Sequence, residues 1–372
     1  MIGTVKLCNM KLPLTEFDQA LVTLFLRQGV LFGLSKEGVF IGWGELRALR
    51  EPPSGTPLEQ GISFFCPDFF VEQAGTWVLP KEVAFVTRAS LIEALESVSE
   101  LSPAVDSVAW KAPDFHSFRR RFLQVQREIK SGRWQKAVPI CFEQATQPVM
   151  PAHIVQMLLG ILRADAPLMP YALWDPTGGI AGASPELLCM IDSEGVVRST
   201  ALAGTVSVSV DAQQLLADPK ERHEHQLVVD YLKERLSTLG VPEVDEAKVL
   251  RLPHLQHLIT EISVRPTKPV TLLDLTRLLH PSPALGVSPR HLGWDWLRDL
   301  DREFSRGRFG APFGIQFPDG SAACCVAIRN VQWGPDRFIL GSGCGIVAAS
   351  DIDREWEELA LKRESVHRLL GV

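Results

Sequence analysis

The stretch DPKERHEHQLVVDYLKERL (218–236) contains two glutamates three residues apart, and SDIDREWEELALKRESVHRLL (350–370) repeats that spacing. Both stretches have the pattern of a helix, and residues three apart on a helix share one face. Four carboxylates on two helices suit a hard divalent cation that keeps positions open for an anionic substrate. Two acidic faces would repel each other unaided, so the sequence predicts a cation between them and a metal-dependent enzyme. The four residues are Glu221, Glu224, Glu355 and Glu358.

Local signals around the glutamates indicate where both helices begin. Asp218 followed by Pro219 is a typical start for the first helix. Ser350 with Asp353 resembles a capping box for the second helix. Upstream, the apolar residues of FHSFRRRFLQVQREI (115–129) recur every three or four positions, which predicts a further amphipathic helix.

Apolar strand patterns alternate with helices through the rest of the chain. Examples are KAVPICFEQA (136–145), ACCVAIRNVQW (323–333) and RFILGSGCGIV (337–347). Before about residue 105 the apolar runs are shorter, are broken by turn residues and carry no chemical constellation. We therefore expect an α/β (α+β) protein with a large sheet core. We expect one domain over 1–372, with a variable N-terminal part (1–105) and a motif-bearing part (106–372).

Composition limits the classes of function. The chain has 372 residues, of which 46% are hydrophobic and 22% charged, and its formal net charge is −6. A mildly acidic chain without a basic block argues against nucleic acid as a partner. Seven scattered cysteines without a C-x-x-C pair predict reduced thiols and a cytoplasmic protein. We expect no secretory signal and no membrane span, because Arg27 interrupts the most apolar stretch.

Eight short blocks occur in an order that is specific to one protein family. They are GASPELL, TALAGT, KERHEHQLVVD, LQHLIT, LLHPSPALG, VAIRN, GSGCGIV and EWEELALK. From about Lys136 to its end the chain therefore resembles the chorismate-utilising enzymes, which include isochorismate, salicylate and anthranilate synthases. The resemblance implies a two-layered, mostly antiparallel β core with helices outside and the active site between the layers. It also implies chorismate as the substrate.

The resemblance assigns a role to each carboxylate and to several substrate contacts. Glu224 and Glu358 match magnesium ligands, and Glu221 and Glu355 match carboxylates that support the metal, through water in some members. Arg329 matches an arginine that grips a substrate carboxylate, a task that suits a guanidinium fork. The remaining substrate-binding positions implied are Leu202, Gly204, Thr205, His257, Ala284, Leu285, Phe309, Gly343, Gly345 and Lys362. His280 matches a second family histidine near the site, although a core role accounts equally well for either histidine.

Lys136 and Glu186 are the residues on which the predicted chemistry depends. Isochorismate and salicylate synthases have lysine at the first position, whereas ammonia-using members usually have glutamine. A buried lysine can lose its proton, because burial disfavours the ammonium form, and could then activate water for attack at C2. Glu186 matches the general acid that protonates the departing C4 hydroxyl. The predicted reaction converts chorismate to isochorismate.

Residues of the pocket bear on which product is released. Ala203 stands where aminodeoxychorismate synthases carry a lysine nucleophile, which argues against that activity. Ala284 with Leu285, and Phe309, resemble isochorismate synthases more than salicylate synthases. The alternatives are a salicylate synthase, which also eliminates pyruvate, and a non-catalytic chorismate-binding paralogue. We expect no amidotransferase subunit and a monomer.

Three positions depart from the family pattern. Pro139 interrupts a strand and removes a hydrogen-bond donor from its ladder. Cys141 stands where arginine is common, and Val287 replaces a usual glycine. These changes affect the expected strand geometry near Lys136 and the pocket wall, but none removes a proposed catalytic group.

Overall fold

Helices and strands alternate along the chain, as its apolar pattern predicts. The computed structural model describes residues 19–51, 61–70, 77–99, 107–165, 167–303 and 305–372. The helices in these ranges are α1 (Gln19–Arg27), α2 (Arg88–Ser99), α3 (Phe115–Lys130), α4 (Pro151–Leu162), α5 (Ala212–Ala217), α6 (Pro219–Leu236), α7 (Leu272–Leu279), α8 (Arg290–Glu303) and α9 (Ile352–Leu370).

The strands of the same ranges are β1 (Gly29–Phe32), β2 (Gly38–Leu49), β3 (Ser63–Phe65), β4 (Trp77–Thr87), β5 (Lys136–Ala137), β6 (Ile140–Thr146), β7 (Met169–Asp175), β8 (Gly178–Ser184), β9 (Leu187–Ile191), β10 (Val197–Ser207), β11 (Pro242–Val244), β12 (Lys248–Arg251), β13 (Leu255–Val264), β14 (Val287–Ser288), β15 (Pro312–Gln316), β16 (Ala322–Val326), β17 (Asn330–Gly334) and β18 (Arg337–Gly343).

Sixteen of these strands form one sheet, and its neighbouring strands pair antiparallel. The order is β11-β13-β10-β9-β16-β15-β3-β4-β2-β1-β7-β8-β17-β18-β6, and β12 also pairs with β13. Two short strands, β5 and β14, form a separate antiparallel pair. The predicted α+β class with a large antiparallel core is thus confirmed. The N-terminal strands β1–β4 lie in the middle of this sheet, between β15 and β7.

The long sheet folds over on itself, so that distant strands face each other. Three strands lie between β15 and β1 in the sheet order. Phe313 of β15 nevertheless stacks with Phe32 of β1, with 6.2 Å between the ring centroids, and it lies 4.9 Å from the ring of Tyr171. Side chains of one sheet can meet in this way only if two parts of it form opposed layers.

Alternation along the central strands separates the inner core from the outer ones. Val30, Phe32 and Tyr171 point between the layers. Their neighbours Leu31 and Ala172 point outward and pack under α1, α2, α4 and the end of α9. The period of two is the pattern expected for strands buried on both faces. Helices α6, α7 and α8 cover the outer face of the other layer.

The two glutamate helices begin differently. The predicted start of α6 is confirmed, because Asp218 Oδ1 accepts hydrogen bonds from the backbone N–H groups of Lys220 and Glu221 at 2.8 and 3.0 Å. The predicted capping box of Ser350 and Asp353 is wrong. The N-cap of α9 is Asp351, because the helix begins one residue later, at Ile352. Ser350 Oγ instead accepts a hydrogen bond from the N–H of Val347.

Pro139 divides the strand that the sequence predicts at 136–145. Lys136 and Ala137 pair with β14, opposite Ser288 and Val287, whereas the ladder with β18 begins only at Ile140. A proline has no N–H to give to a ladder, so it suits the break between the two strands. Lys136 is thereby placed on a short strand beside the site rather than in the main sheet.

The contact between the layers makes Phe313 a sensitive point of the core. Phe313→Ala should lower the free energy of unfolding by about 3–5 kcal/mol, because it removes a buried ring and leaves a cavity between two layers. Urea denaturation would measure this loss. Leu123→Ala is the control, since Leu123 is 42% exposed, and it should cost under about 1 kcal/mol. Equal losses for the two variants would contradict the two-layer arrangement.

Candidate active site

The carboxylates of α6 and α9 meet around one ammonium group. Lys220 Nζ lies 3.0 Å from Glu221 Oε1, 3.1 Å from Glu224 Oε2 and 3.1 Å from Glu355 Oε1. Burial lowers the pKa of Lys220, but the surrounding carboxylates raise it well above its ordinary value. Lys220 therefore stays charged and bridges the two helices. The prediction that a cation separates them is met, in this structure, by a side chain of the protein.

A second lysine bonds to Glu224 from the other side. Lys136 Nζ lies 2.9 Å from Glu224 Oε1, and both side chains are almost fully buried. Burial raises the pKa of Glu224, but Lys136 and Lys220 together outweigh it and bring that pKa down to about 2. Gly345 makes the pair possible, because a Cβ there would lie 2.0 Å from Glu224 Oε1 and 2.5 Å from Lys136 Cε.

A third lysine pairs with the remaining carboxylate. Lys362 Nζ lies 2.6 Å from Glu358 Oε1, one turn earlier on α9. The same ammonium donates a hydrogen bond to the carbonyl of Gly343 at 2.8 Å. Since Gly343 ends β18, this bond ties the glutamate helix to the strand that forms one wall of the site.

Glu186 differs from the four helix carboxylates because no ammonium group of the described residues pairs with it. It lies in the turn between β8 and β9, where its N–H donates to Ser184 Oγ at 3.2 Å, and its side chain is 4% exposed. Burial raises its pKa to about 8, although the charges of Lys136 and Lys362 oppose the shift. Glu186 is therefore a protonated acid near neutral pH, as a proton donor must be.

Arg329 belongs to a chain of hydrogen bonds that reaches the glutamates. Its Nη2 donates to His257 Nε2 at 3.3 Å, and His257 Nδ1 lies 2.9 Å from Thr205 Oγ1. Burial and the charges of Arg329 and Lys362 hold the pKa of His257 well below its usual value. A neutral His257 that accepts at Nε2 must donate from Nδ1 to Thr205. Thr205 N–H in turn donates to Glu221 Oε2 at 2.9 Å.

Arg329 has a left-handed backbone, with φ 58°. Such a conformation is uncommon for a residue with a side chain and is concentrated at functional sites. It lies in the connection between β16 and β17, and it turns the guanidinium toward α9. There Arg329 Nη1 donates to Ser365 Oγ and to the carbonyl of Lys362.

One cavity brings most of the predicted residues together. Both Lys136 and Glu186 line it, as does the metal-ligand candidate Glu224. The predicted substrate-binding residues on its wall are Leu202, Thr205, His257, Ala284, Leu285, Phe309, Arg329, Gly343, Gly345 and Lys362. Its free volume is about 70 Å³, room for a few water molecules at most. Lys136, Glu186, Glu224 and most of the predicted substrate-binding residues therefore share one cavity.

Some predicted residues lie beside the cavity rather than on its wall. Gly204 has φ +74° at an irregular point of the β10–β13 ladder, and a Cβ there would lie 3.1 Å from the carbonyl of Glu221. It therefore supports α6. His280 lies in the core, where its Nε2 bonds to the carbonyl of Phe69 at 2.7 Å. Of the two histidines, only His257 reaches the cavity.

Lys220 is the important residue that the sequence reasoning missed. Its position was readable, because it lies next to Glu221 and four residues before Glu224, where i, i+4 pairs form on a helix. Its bond to Glu355 of the other helix could not be read from the sequence. The sequence reasoning also assigned no role to Pro185, Ile328, Gly341 and Ser342, which line the cavity although they lie within the quoted family blocks.

A larger cavity of about 650 Å³ lies between α4, α9 and the loop before β13. Arg329 lines both cavities, whereas Ser365 lines the larger one. It contains neither the lysines nor the glutamates described above. We therefore assign the chemistry to the smaller cavity.

The glutamate side chains of α6 and α9 are of the type that binds a hard metal ion. All four candidates are carboxylates, and Glu355 Oε2 is a buried oxygen without a hydrogen-bond partner. Mg²⁺ prefers such oxygen ligands. Within the described ranges, no three His, Cys, Asp or Glu side chains already converge as ligands. The four carboxylates are bonded instead to the ammonium groups of Lys136, Lys220 and Lys362.

A family model for chorismate binding enzymes matches residues 80–371. The chain belongs to the chorismate-binding enzyme family. The match begins well before Lys136, the point from which the sequence resembles the family. It therefore includes part of β4 and all of α2, which precede residue 105.

Relatives and solved structures agree with the fold. The salicylate biosynthesis isochorismate synthase of Pseudomonas aeruginosa is 34% identical over 65% of this chain and 52% of its own length. Isochorismate synthase MenF of Bacillus subtilis is 27% identical over 82% of this chain and 69% of its own. This chain thus spans about half to two thirds of these relatives. The structure of the menaquinone-specific isochorismate synthase MenF of Escherichia coli has a TM-score of 0.72 at 21% identity, over 92% of this chain and 88% of that one.

The helices of the described ranges include none with both the length and the apolar character needed to cross a membrane. The described cysteines are buried free thiols, namely Cys66, Cys141, Cys189, Cys324, Cys325 and Cys344. Cys141, one of the departures from the family pattern, lies under α3, where its Sγ is 3.9 Å from Arg121 Nη2. That position is outside the cavity wall.

The environment of Glu186 generates a spectroscopic prediction. Because its pKa is raised to about 8, the protonated carboxyl should persist at neutral pH and disappear only as the pH rises through 8. Infrared difference spectra between the wild type and Glu186→Gln would isolate its carbonyl band. Circular dichroism during the same titration would show that the fold is retained. Loss of the band near pH 4.5, the ordinary range of a glutamate, would contradict the assignment.

Proposed function

We propose that the chain is a magnesium-dependent isochorismate synthase, an isomerase that converts chorismate to isochorismate. The observation that carries the proposal is the cavity lined by both Lys136 and Glu186. Glu186 is an acid that is still protonated near neutrality, and Lys136, an ammonium paired with Glu224 in this structure, would act as the base once it has left that pair and lost its proton. A hydroxyl exchange needs this combination, because the water that attacks one ring carbon loses a proton and the hydroxyl that leaves another ring carbon gains one.

The proposed reaction is balanced by these two groups. Lys136, as the neutral amine, takes a proton from a water that attacks C2 of the ring. Both conjugated ring double bonds shift, and the C4 hydroxyl leaves as water with a proton from Glu186. Since Lys136 bonds to Glu224 in this structure, that pair must open before the amine can act. The exchange consumes one water and releases one, so no further reactant is needed.

Cationic and backbone donors on the same wall fit the two carboxylates of chorismate. Arg329 offers a fixed fork that His257 and Ser365 hold in place. Lys362 lies beside the carbonyl of Gly343, and the amides near Gly345 approach the cavity without a side chain in the way. Binding the carboxylates would fix the ring between base and acid.

The proposed metal site comprises the four helix glutamates. Glu224 and Glu358 would hold Mg²⁺, with Glu221 and Glu355 as supporting carboxylates. When bound, the ion would neutralise a substrate carboxylate and help to orient the ring. The supporting observations are the all-oxygen donor set and the buried, unpartnered Glu355 Oε2.

We further propose that the chain works on water without an amidotransferase subunit, as a cytoplasmic monomer formed from one catalytic domain. Lys136 supports the first point, because it provides a base for water. The buried free thiols are consistent with a reducing compartment. Ala284, Leu285 and Phe309 form an apolar wall, which supports release of isochorismate without pyruvate elimination.

Incubation with chorismate tests the function directly. The purified protein should form isochorismate with Mg²⁺ and should form none with EDTA, as resolved by chromatography. Salicylate with equimolar pyruvate would instead identify a salicylate synthase. No turnover under any of these conditions would identify a non-catalytic relative or one that requires ammonia.

Lys136→Ala should lower kcat by about 10²- to 10⁴-fold, the usual contribution of a general base. Lys233→Ala is the matched control, because Lys233 is an exposed lysine on α6, and it should retain the rate of the wild type. Calorimetric Mg²⁺ binding by the variant would separate loss of the base from loss of the metal site. A rate within a few-fold of wild type would exclude Lys136 as the base.

A further inference from the structure

Lys220 stands apart from the other lysines of the described chain because it bonds to carboxylates of both glutamate helices. Its ammonium contacts Glu221 and Glu224 on α6 and Glu355 on α9, all within 3.1 Å. Lys136 contacts only Glu224, and Lys362 only Glu358. Lys220 therefore lies where the carboxylates of the two helices converge.

The position of Lys220 on its helix is electrostatically unfavourable by itself. It is the second residue of α6, and the N-terminus of a helix carries partial positive charge that disfavours a cation. Oδ1 of Asp218, the N-cap residue of α6, accepts hydrogen bonds from backbone N–H groups rather than from this ammonium. The glutamates are therefore the groups that hold Lys220 inward.

Lys220 also has a route out of the site. Its side chain is 18% exposed, whereas that of Lys136 is 1% exposed. Lys220 thus lies at the rim and Lys136 in the interior. A long, flexible side chain at the rim can turn into solvent without breaking the core.

We infer that Lys220 is a built-in counter-ion that occupies the place of the divalent metal, and that metal binding displaces its ammonium into solvent. The inference rests on the proposed metal site. Mg²⁺ holds oxygen ligands at about 2.0–2.1 Å, closer than the 3.0–3.1 Å of the ammonium contacts. The same carboxylates cannot hold both cations at one point, so the two compete. Lys220 then stabilises the metal-free protein at the expense of metal affinity.

Substitution of Lys220 should separate these two effects. In Lys220→Gln without metal, the melting temperature should fall, because buried carboxylates lose their counter-ion. Mg²⁺ should bind about tenfold more tightly or better, since no ammonium has to be displaced, and should raise the melting temperature more than in the wild type. Lys233→Gln removes the same charge from an exposed position of α6 and should match the wild type. Calorimetry and thermal unfolding measure both quantities without reference to turnover.

Chemical labelling of the wild type tests displacement without any variant. Acetic anhydride should modify Lys220 slowly in EDTA and several-fold faster with saturating Mg²⁺, as read by peptide mass spectrometry. Lys233 serves as the internal reference and should react equally under both conditions. This readout holds even if Lys220→Gln does not fold without metal.

The outcomes distinguish the inference from the proposed function. Unchanged or weaker Mg²⁺ binding by Lys220→Gln, or labelling of Lys220 that does not rise with Mg²⁺, would overturn the counter-ion role and leave the metal site intact. Failure of the wild type to bind Mg²⁺ at all would overturn the metal site and the inference together.

Discussion

Repulsion between the four glutamates of α6 and α9, three of them buried and Glu358 partly exposed, is the constraint on which the arrangement of the candidate site depends. An isolated buried charge costs several kcal/mol even after the surroundings relax, so α6 and α9 can face each other only with cations between them. The protein supplies three ammonium groups from three different elements, namely Lys136 on β5, Lys220 on α6 and Lys362 on α9. Their bonds fix how the two helices and the short strand β5 lie around one cavity.

Two carboxyl groups of the same cavity, those of Glu224 and Glu186, differ in protonation state because they differ in their ammonium neighbours. Glu224 lies between two ammonium groups and has a pKa of about 2, whereas Glu186 is equally buried, pairs with no ammonium of the described residues and has a pKa of about 8. An ionised carboxylate and a protonated acid thus lie on one wall at the same pH. The fold achieves this by placing Glu186 in the turn between β8 and β9, whereas Glu224 lies on α6 together with Lys220. Separation of roles follows from the backbone position of each glutamate.

Local sequence signals predicted the helices better than the way in which the elements assemble. Asp218 and Pro219 predicted the start of α6, and the family resemblance selected Lys136 and Glu186, which line one cavity. The cap of α9 was misplaced, because neighbouring serine and aspartate side chains can each serve as a cap. The cross-helix bond of Lys220 and the left-handed Arg329 carried no signal, because both depend on residues distant in sequence. The pairing of β3 with β15 was unreadable for the same reason.

The pairing of β3 with β15 has a consequence for how the chain folds. Strands β1–β4 are made early, yet they lie between β7 and β15 in the finished sheet. On the ribosome, the free edge of β3 must wait until β15 has been synthesised, with most of the chain in between. Exposed edges are prone to pair with the wrong partner, and pairings between distant segments form slowly. The beginning of the chain is therefore constrained by the backbone hydrogen bonds that β1 and β3 make to strands synthesised later, and the edge of β3 stays without its final partner until β15 has been made.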